Sequence, residues 1–160
     1  MKSSQHLKNL LEVWEGVRQQ VYLDSGGEAT IGIGHLLTRD EKASGKIFID
    51  GAPVRYDQWL SVAECRTLLE QDLKIPEKAV SKLVFVSLNQ NQSDALVSFI
   101  YNVGENAFKN STLLKLLNDS KFIEVPTQLR RWNKCAGRTV QGLINRREKE
   151  IKLWNEVEND

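Results

Sequence analysis

The start of the chain carries a helical pattern of apolar positions. Four apolar residues follow the i, i+3, i+4, i+7 spacing that places side chains on one face of a helix: Leu7, Leu10, Leu11 and Trp14. Ser3 or Ser4 is suited to cap this helix, and Gly16 is suited to end it. The pattern therefore predicts an amphipathic helix that ends close to Glu15.

From residue 21 to about residue 50 the helical period is lost. Apolar and β-branched runs at residues 30–34 and 47–49 stand between turns that contain glycine, among them Ser25-Gly26-Gly27. This alternation predicts one small antiparallel sheet of short strands.

Helical patterns return after the strands. Ser61 and Glu64 have the S-x-x-E spacing of a capping box, and Pro76 is expected to end or kink the helix that starts there. Three more helices are predicted, namely residues 92–103 after a cap at Asn89 or Asn91, a short helix capped by Ser111, and residues 141–157.

Strands followed by helices predict an α+β fold in which a cleft separates a small sheet lobe from a mainly helical lobe. The length of 160 residues corresponds to about one domain. The expected boundaries are one domain over 1–160, a sheet lobe at 15–60, a helical lobe at 1–14 and 77–160, and a connecting helix at 61–76.

The charge of the chain is unevenly distributed. The net charge is +1, but residues 126–152 alone carry +6, so the rest of the chain carries −5. This segment could bind a polyanion or form solvated surface.

No apolar run approaches the roughly 20 residues of a membrane helix, and no signal peptide is recognised, so a cytoplasmic start is expected. Cys65 and Cys135 are expected to be free thiols.

Two carboxylates in different surroundings are the candidate catalytic residues. Glu15 lies beside Trp14 at a predicted helix end, and Asp24 precedes the turn at Gly26 and Gly27. Each alone is a common cap or turn residue. Together, a proton donor and a persistent anion are what hydrolysis of a glycosidic bond requires.

The motifs around these carboxylates carry a resemblance. The chain reads E-G-x-R at residues 15–18, Y-x-D-x-x-G at residues 22–27 and T-I-G-x-G-H at residues 30–35. This order closely resembles the catalytic signature of the phage-type lysozymes, the endolysin family. Similar segments continue in order through residues 36–38, 71–72, 92–104, 107–108, 110–114, 131–132 and 142–148, while residues 39–58 are the least similar. The resemblance implies a lysozyme-like α+β fold.

The same resemblance implies roles for individual residues. Glu15 would be the general acid that protonates the leaving sugar oxygen. Asp24 would act as base towards water or as an electrostatic partner of the oxocarbenium-like transition state, and the hydroxyl of Thr30 would hold the attacking water. A water-mediated arrangement implies inversion of the anomeric centre.

Supporting residues are implied as well. His35 would be structural and paired with Asp72, with no metal role, and Arg146 or Arg147 would reach Glu15. Four residues would contribute to the glycan-binding groove: Leu36, Tyr101, Asn102 and Ser111.

The implied function is a muramidase that needs no cofactor and cleaves the β-1,4 bond between N-acetylmuramic acid and N-acetylglucosamine in peptidoglycan. It would wait in the host cytoplasm as a monomer until a separate membrane-permeabilising protein, a holin, gives it access to the wall. Neither nucleic-acid binding nor membrane insertion is expected.

Three alternatives stay open. A lytic transglycosylase would form a 1,6-anhydro sugar without water, although Asp24 and Thr30 argue against it. A relative without activity could bind the wall or another protein. A nucleic-acid-binding role would rest on the basic segment alone.

Overall fold

The computed structural model describes residues 1–157, so the last three residues of the predicted domain lie outside the described part. Within it, the eight α-helices are α1 (Gln5–Glu15), α2 (Arg39–Ser44), α3 (Val62–Leu83), α4 (Gln90–Val103), α5 (Glu105–Lys109), α6 (Thr112–Asn118), α7 (Val125–Arg130) and α8 (Gln141–Asn155). The seven strands are β1 (Arg18–Leu23), β2 (Ala29–Gly32), β3 (His35–Leu36), β4 (Lys46–Ile49), β5 (Ala52–Arg55), β6 (Lys134–Cys135) and β7 (Arg138–Thr139). The predicted α+β class is confirmed.

The chain forms two compact units. The sheet unit is Lys8–Lys74, and the helical unit combines residues 1–7 with the chain from Ile75 onward. The lobe boundaries expected from the sequence stay a prediction.

The sheet unit contains two separate antiparallel sheets. Strands β1, β2 and β3 form one sheet in that order, whereas β4 pairs only with β5. The prediction of a single sheet is therefore wrong. In β4, Ile47 and Ile49 are buried while Phe48 is exposed, so this hairpin has its own apolar face.

Helix α3 contains Pro76 in its interior. The predicted capping box is confirmed, because Glu64 N donates to Ser61 Oγ and Ser61 N donates to Glu64 Oε1. Of the two outcomes expected at Pro76, an end of the helix is wrong, since α3 continues to Leu83, and a kink stays a prediction. Leu73 and Ala79 are buried on either side of the proline, and this burial offsets the single backbone hydrogen bond that proline cannot donate.

The helical unit is built around α4. All side chains from Ser93 to Ile100 are buried, and α8 packs along α4. Asn89 caps α4 and Ser111 caps α6, as predicted, and α8 ends at Asn155. The sequence patterns missed four short elements of this unit: α5, α7, the 3-10 turn Phe122–Glu124 and the hairpin of β6 and β7.

The first residues of the chain join the helical unit. Ser3 N donates to Glu77 Oε1 at 2.9 Å, and Ser4 bonds to Asp94 through both its amide and its hydroxyl. Ser4 Oγ also accepts from Leu7 N, which confirms the predicted cap of α1.

Candidate active site

Glu15 is the last residue of α1 and lies against a glycine. Gly16 follows it with φ of +76°, a conformation that ends the helix. Gly34 lies so close that a Cβ atom there would be 2.8 Å from Glu15 Oε2. The absence of a side chain at residue 34 therefore leaves the space that the carboxylate occupies.

Asp24 heads the turn that joins β1 to β2. Its Oδ1 accepts hydrogen bonds from the amides of Gly26 and Glu28, both at 2.9 Å, and its carbonyl accepts from Gly27 N. Two amides thus fix the orientation of the carboxylate. Oδ2 accepts no hydrogen bond from any residue in the described range 1–157, so it can accept one from water or substrate.

Thr30 is buried in β2, with 3% of its surface exposed. Its Oγ1 donates to the carbonyl of Glu28 at 2.9 Å, so the hydroxyl proton is engaged and the oxygen can still accept. Glu15, Asp24 and Thr30 all belong to the sheet unit. Their catalytic roles stay predictions.

Tyr22 had no assigned role from the sequence, although it belongs to the Y-x-D motif. It is paired directly opposite Thr30. Burial raises the pKa of Tyr22, and the negative charges of Glu15 and Asp24 raise it further. The positive charge of Arg18 opposes this shift. The phenol therefore lies within the fields of both candidate carboxylates and stays protonated.

His35 in β3 bridges two carboxylates. Its Nδ1 lies 2.8 Å from Asp72 Oδ2, which confirms the predicted pairing, and its Nε2 lies 2.9 Å from Glu41 Oε1. Burial opposes the imidazolium, but the hydrogen bonds and charges of Asp72 and Glu41 outweigh it and raise the pKa of His35 to about 9. The sequence reasoning missed Glu41, although Thr38 and Glu41 have capping-box spacing and form that box at the start of α2.

The residues predicted to bind glycan differ in availability. Leu36 is 52% exposed, Asn102 is exposed and Tyr101 is half-buried. Ser111 Oγ donates to Phe108 O at 2.6 Å and accepts from Leu114 N, so its hydroxyl is engaged as a helix cap. The binding roles of all four residues stay predictions.

The two arginines expected near Glu15 share a buried carboxylate in the helical unit. Glu150 lies 2.5 Å from Arg147 Nε and 3.4 Å from Arg146 Nε, and it accepts from Ser98 Oγ at 2.6 Å. Arg147 also donates to Asn102 Oδ1 at 2.7 Å. The contact of Arg146 or Arg147 with Glu15 stays a prediction.

This buried carboxylate changes the interpretation of the basic segment, residues 126–152. Arg146, Arg147 and Glu150 are buried, so the segment is not simply solvated surface. The sequence reasoning missed Glu150 as a core residue, although its i+3 and i+4 spacing from two arginines was a usable signal.

Residues 1–157 contain two free thiols, but no metal-binding cluster and no membrane-spanning helix. The described side chains form no group of three or more His, Cys, Asp or Glu residues that could hold a metal ion. Cys65 is buried and Cys135 is exposed, and both are free thiols as predicted. No described helix combines the length and apolar character needed to cross a membrane.

Solved structures share this fold over nearly the whole chain. A P22 lysozyme variant superposes with a TM-score of 0.78 at 35% identity, covering 98% of this chain and 99% of the other. The muramidase domain of SpmX from Asticaccaulis excentricus also reaches 0.78, at 29% identity, with the same coverage. The fold is therefore lysozyme-like.

Sequence comparison places the chain within that class. The model of the phage lysozyme family matches residues 12–150. The endolysin of Salmonella phage P22 is 39% identical over 140 residues, which are 88% of each chain. The endolysin of Bacillus phage PZA is 36% identical over 157 residues, 97% of this chain. The chain belongs to the phage lysozyme family, and it spans about half (55%) of the PZA protein.

Proposed function

We propose that the protein is an endolysin that hydrolyses the β-1,4 bond between N-acetylmuramic acid and N-acetylglucosamine in peptidoglycan. One observation carries the proposal: the sheet unit contains a carboxylate at a helix end, Glu15, and a turn carboxylate held by two amides, Asp24, and the charges of both act on Tyr22. Membership of the phage lysozyme family and the endolysin names of its relatives support it.

In the proposed mechanism each of the three residues has one step. Glu15 donates a proton to the leaving sugar oxygen. Asp24 accepts a proton from water through the carboxylate oxygen that no amide occupies, and Thr30 Oγ1 accepts a hydrogen bond from that water. Water attacks the face opposite the leaving group, so the reaction inverts the anomeric centre.

The biological setting belongs to the same proposal. The protein acts as a monomer on glycan strands without a cofactor, and its activity lyses the host cell. It stays in the host cytoplasm until a holin opens the way to the wall. Fractionation of cells that express the protein with and without a holin tests this step, and export without a holin would contradict it.

The decisive experiment compares peptidoglycan digestion by the wild type, Glu15→Gln and Asp24→Asn. General acid catalysis contributes roughly 10² to 10⁴-fold, so Glu15→Gln should lose activity by that order while staying folded. We expect a similar loss for Asp24→Asn. The readout is the amount and the type of new chain end, analysed by mass spectrometry.

Glu12→Gln is the matched control. Glu12 lies on the same helix and forms a surface ion pair with Arg66 at 2.6 Å. Its loss should leave activity unchanged and cost less than about 1 kcal/mol of stability. Full activity of Glu15→Gln would overturn the site assignment. A 1,6-anhydro end from the wild type would instead establish a transglycosylase, and absence of any cleavage would indicate a binding module.

A further inference from the structure

A bulge in β1 places Tyr22 within the candidate site. Arg18 is paired with Gly32 and Tyr22 with Thr30, so four steps along β1 match two steps along β2. The two additional residues interrupt the regular alternation of the strand. Bulges re-aim side chains next to functional sites. Directly opposite residues of antiparallel strands share a face, so the Tyr22 ring lies on the face of Thr30.

Arg18 fixes the ring of Tyr22. Its guanidinium carbon lies 5.1 Å from the ring centroid, within the range of a cation–π contact. The Arg18 guanidinium forms no ion pair or hydrogen bond with any residue from 1 to 157. The arginine of the E-G-x-R motif therefore has one visible task, which is to hold the tyrosine of the Y-x-D motif.

The Tyr22 hydroxyl has no hydrogen-bond partner in the part of the chain that the structure describes. It forms no hydrogen bond with any residue of the described range, although Tyr22 is half-buried. Glu15 and Asp24 both disfavour a negative phenolate nearby, so the group remains an O–H donor. A fixed donor without a protein acceptor, close to two carboxylates, is suited to an acceptor that arrives with a ligand. Sugar hydroxyl, ring and acetamido oxygens are such acceptors.

We propose that Tyr22 is a substrate-contacting residue whose hydroxyl donates a hydrogen bond to the sugar bound between Glu15 and Asp24, and that Arg18 positions its ring. This inference rests on the proposed function. It adds to the carboxylates a neutral donor that orients the sugar for proton transfer and water attack.

Tyr22→Phe tests the contact because it removes the hydroxyl and keeps the ring on Arg18. The loss of one neutral hydrogen bond should lower kcat/KM for peptidoglycan about three- to tenfold, measured as reducing ends released. The melting temperature should not fall, because the hydroxyl has no partner in the described protein. The combination of lower activity and unchanged stability is the expected signature.

Tyr56→Phe is the matched control. The Tyr56 hydroxyl donates to the carbonyl of Glu41 at 2.8 Å, so its removal breaks a structural hydrogen bond. This variant should melt at a lower temperature and keep the wild-type kcat/KM. If Tyr22→Phe also lost stability but kept its kinetics, Tyr22 would be structural and the proposal would be overturned.

A double-mutant cycle tests the role of Arg18. Arg18→Gln should lower kcat/KM, while Arg18→Lys should retain most activity because an ammonium can also lie over the ring. In the Tyr22→Phe background, Arg18→Gln should have no further effect, since there is no hydroxyl left to orient. Additive losses would overturn the positioning role.

Failure of this proposal is distinguishable from failure of the proposed function. If the wild type releases no reducing ends from peptidoglycan, the proposed function fails and the inference fails with it. If the wild type releases them and Tyr22→Phe does so equally fast, only the inference fails.

Discussion

Gly34 and Glu15 share a space that a methyl group would fill. A Cβ at residue 34 would lie 2.8 Å from Oε2 and 3.0 Å from Cδ of Glu15. Gly34 also has φ of +74°, where side chains other than glycine are strained. The end of a glutamate side chain can move, so an added methyl group displaces the carboxylate more readily than the backbone.

We therefore expect Gly34→Ala to be a catalytic defect more than a folding defect. A displacement of about 1 Å at a reacting group can cost about 100-fold in rate, and the unfavourable φ should cost about 1 kcal/mol of stability. Peptidoglycan digestion and thermal unfolding measure the two effects.

Gly45→Ala separates strain from displacement. Gly45 ends α2 with φ of +72° and has no atom within 4 Å of its Cβ position. This variant should lose similar stability and keep its activity. Equal activities for Gly34→Ala and Gly45→Ala would show that the carboxylate does not depend on the space beside residue 34.

For single residues, the local position of a side chain can be predicted from the sequence, but its contacts with distant residues cannot. The sequence places Asp24 in a glycine turn and Glu15 at a helix end, because caps and turns depend on neighbouring residues. It does not show that Gly34 approaches Glu15, since nineteen positions separate them and the contact arises only when the sheet folds against the helix end. Nor does it show the β1 bulge, which moves Tyr22 opposite Thr30.

His35 links three elements of the sheet unit. The imidazole of β3 bonds to Asp72 of α3 and to Glu41 of α2, and all three side chains are largely buried. The protonated ring can donate to both carboxylates at once. The raised pKa of His35 means that the folded state favours the imidazolium over the neutral ring.

This preference predicts a pH-dependent stability. The folded pKa of about 9 lies above the ordinary value of 6.5, so the stabilisation is complete below about pH 6.5 and is lost as the pH rises through about 9. At pH 6, His35→Asn should be less stable than the wild type by at most about 3 kcal/mol, and the difference should shrink by pH 10. Urea unfolding at several pH values measures it.

His6→Asn is the control for histidine chemistry in general. His6 is 53% exposed and lies 3.5 Å from Glu156. Its removal should change the unfolding free energy at pH 6 by less than about 1 kcal/mol, as expected of an exposed pair. A constant difference between the wild type and His35→Asn from pH 6 to pH 10 would contradict the linkage of Asp72 and Glu41 to a charged His35.

Element length explains which parts of the fold the sequence predicts. The starts of α1, α3, α4 and α6 follow from capping residues and apolar periodicity, which are local signals. The elements that escaped prediction have two to six residues, too few to establish a period. The second sheet was not predicted for another reason. The sequence of a strand does not reveal which other strand it pairs with, and in the structure β4 and β5 pair with each other and not with β1, β2 or β3.

In the helical unit, one buried carboxylate supports much of the packing between α4 and α8. Glu150 is fully buried and Arg147 is 1% exposed, while the Arg147 guanidinium also lies 5.0 Å from the centre of the Phe99 ring. Burial lowers the pKa of Arg147, against the charge and hydrogen bond of Glu150, which favour the cation. Removal of this carboxylate would leave a buried cation without its counter-charge.

Glu150→Gln should consequently destabilise the whole protein by about 3 to 5 kcal/mol, the usual cost of breaking a buried ion pair on one side. Glu148→Gln is the matched control on the same helix, because Glu148 pairs with Arg130 at the surface and should contribute less than about 1 kcal/mol. Urea unfolding compares the two variants. Equal losses in the free energy of unfolding would mean that burial does not determine how much each ion pair stabilises the protein.

The order in which the two units are encoded affects how the chain folds during synthesis. Residues 3 and 4 leave the ribosome before their partners Glu77 and Asp94, which follow 74 and 90 residues later. At roughly 5 to 20 residues per second, the first segment waits several seconds for its binding site. The sheet unit, by contrast, is encoded without interruption between those partners. Its strands can pair while the helical unit still lacks most of its residues, so the sheet unit is expected to fold first.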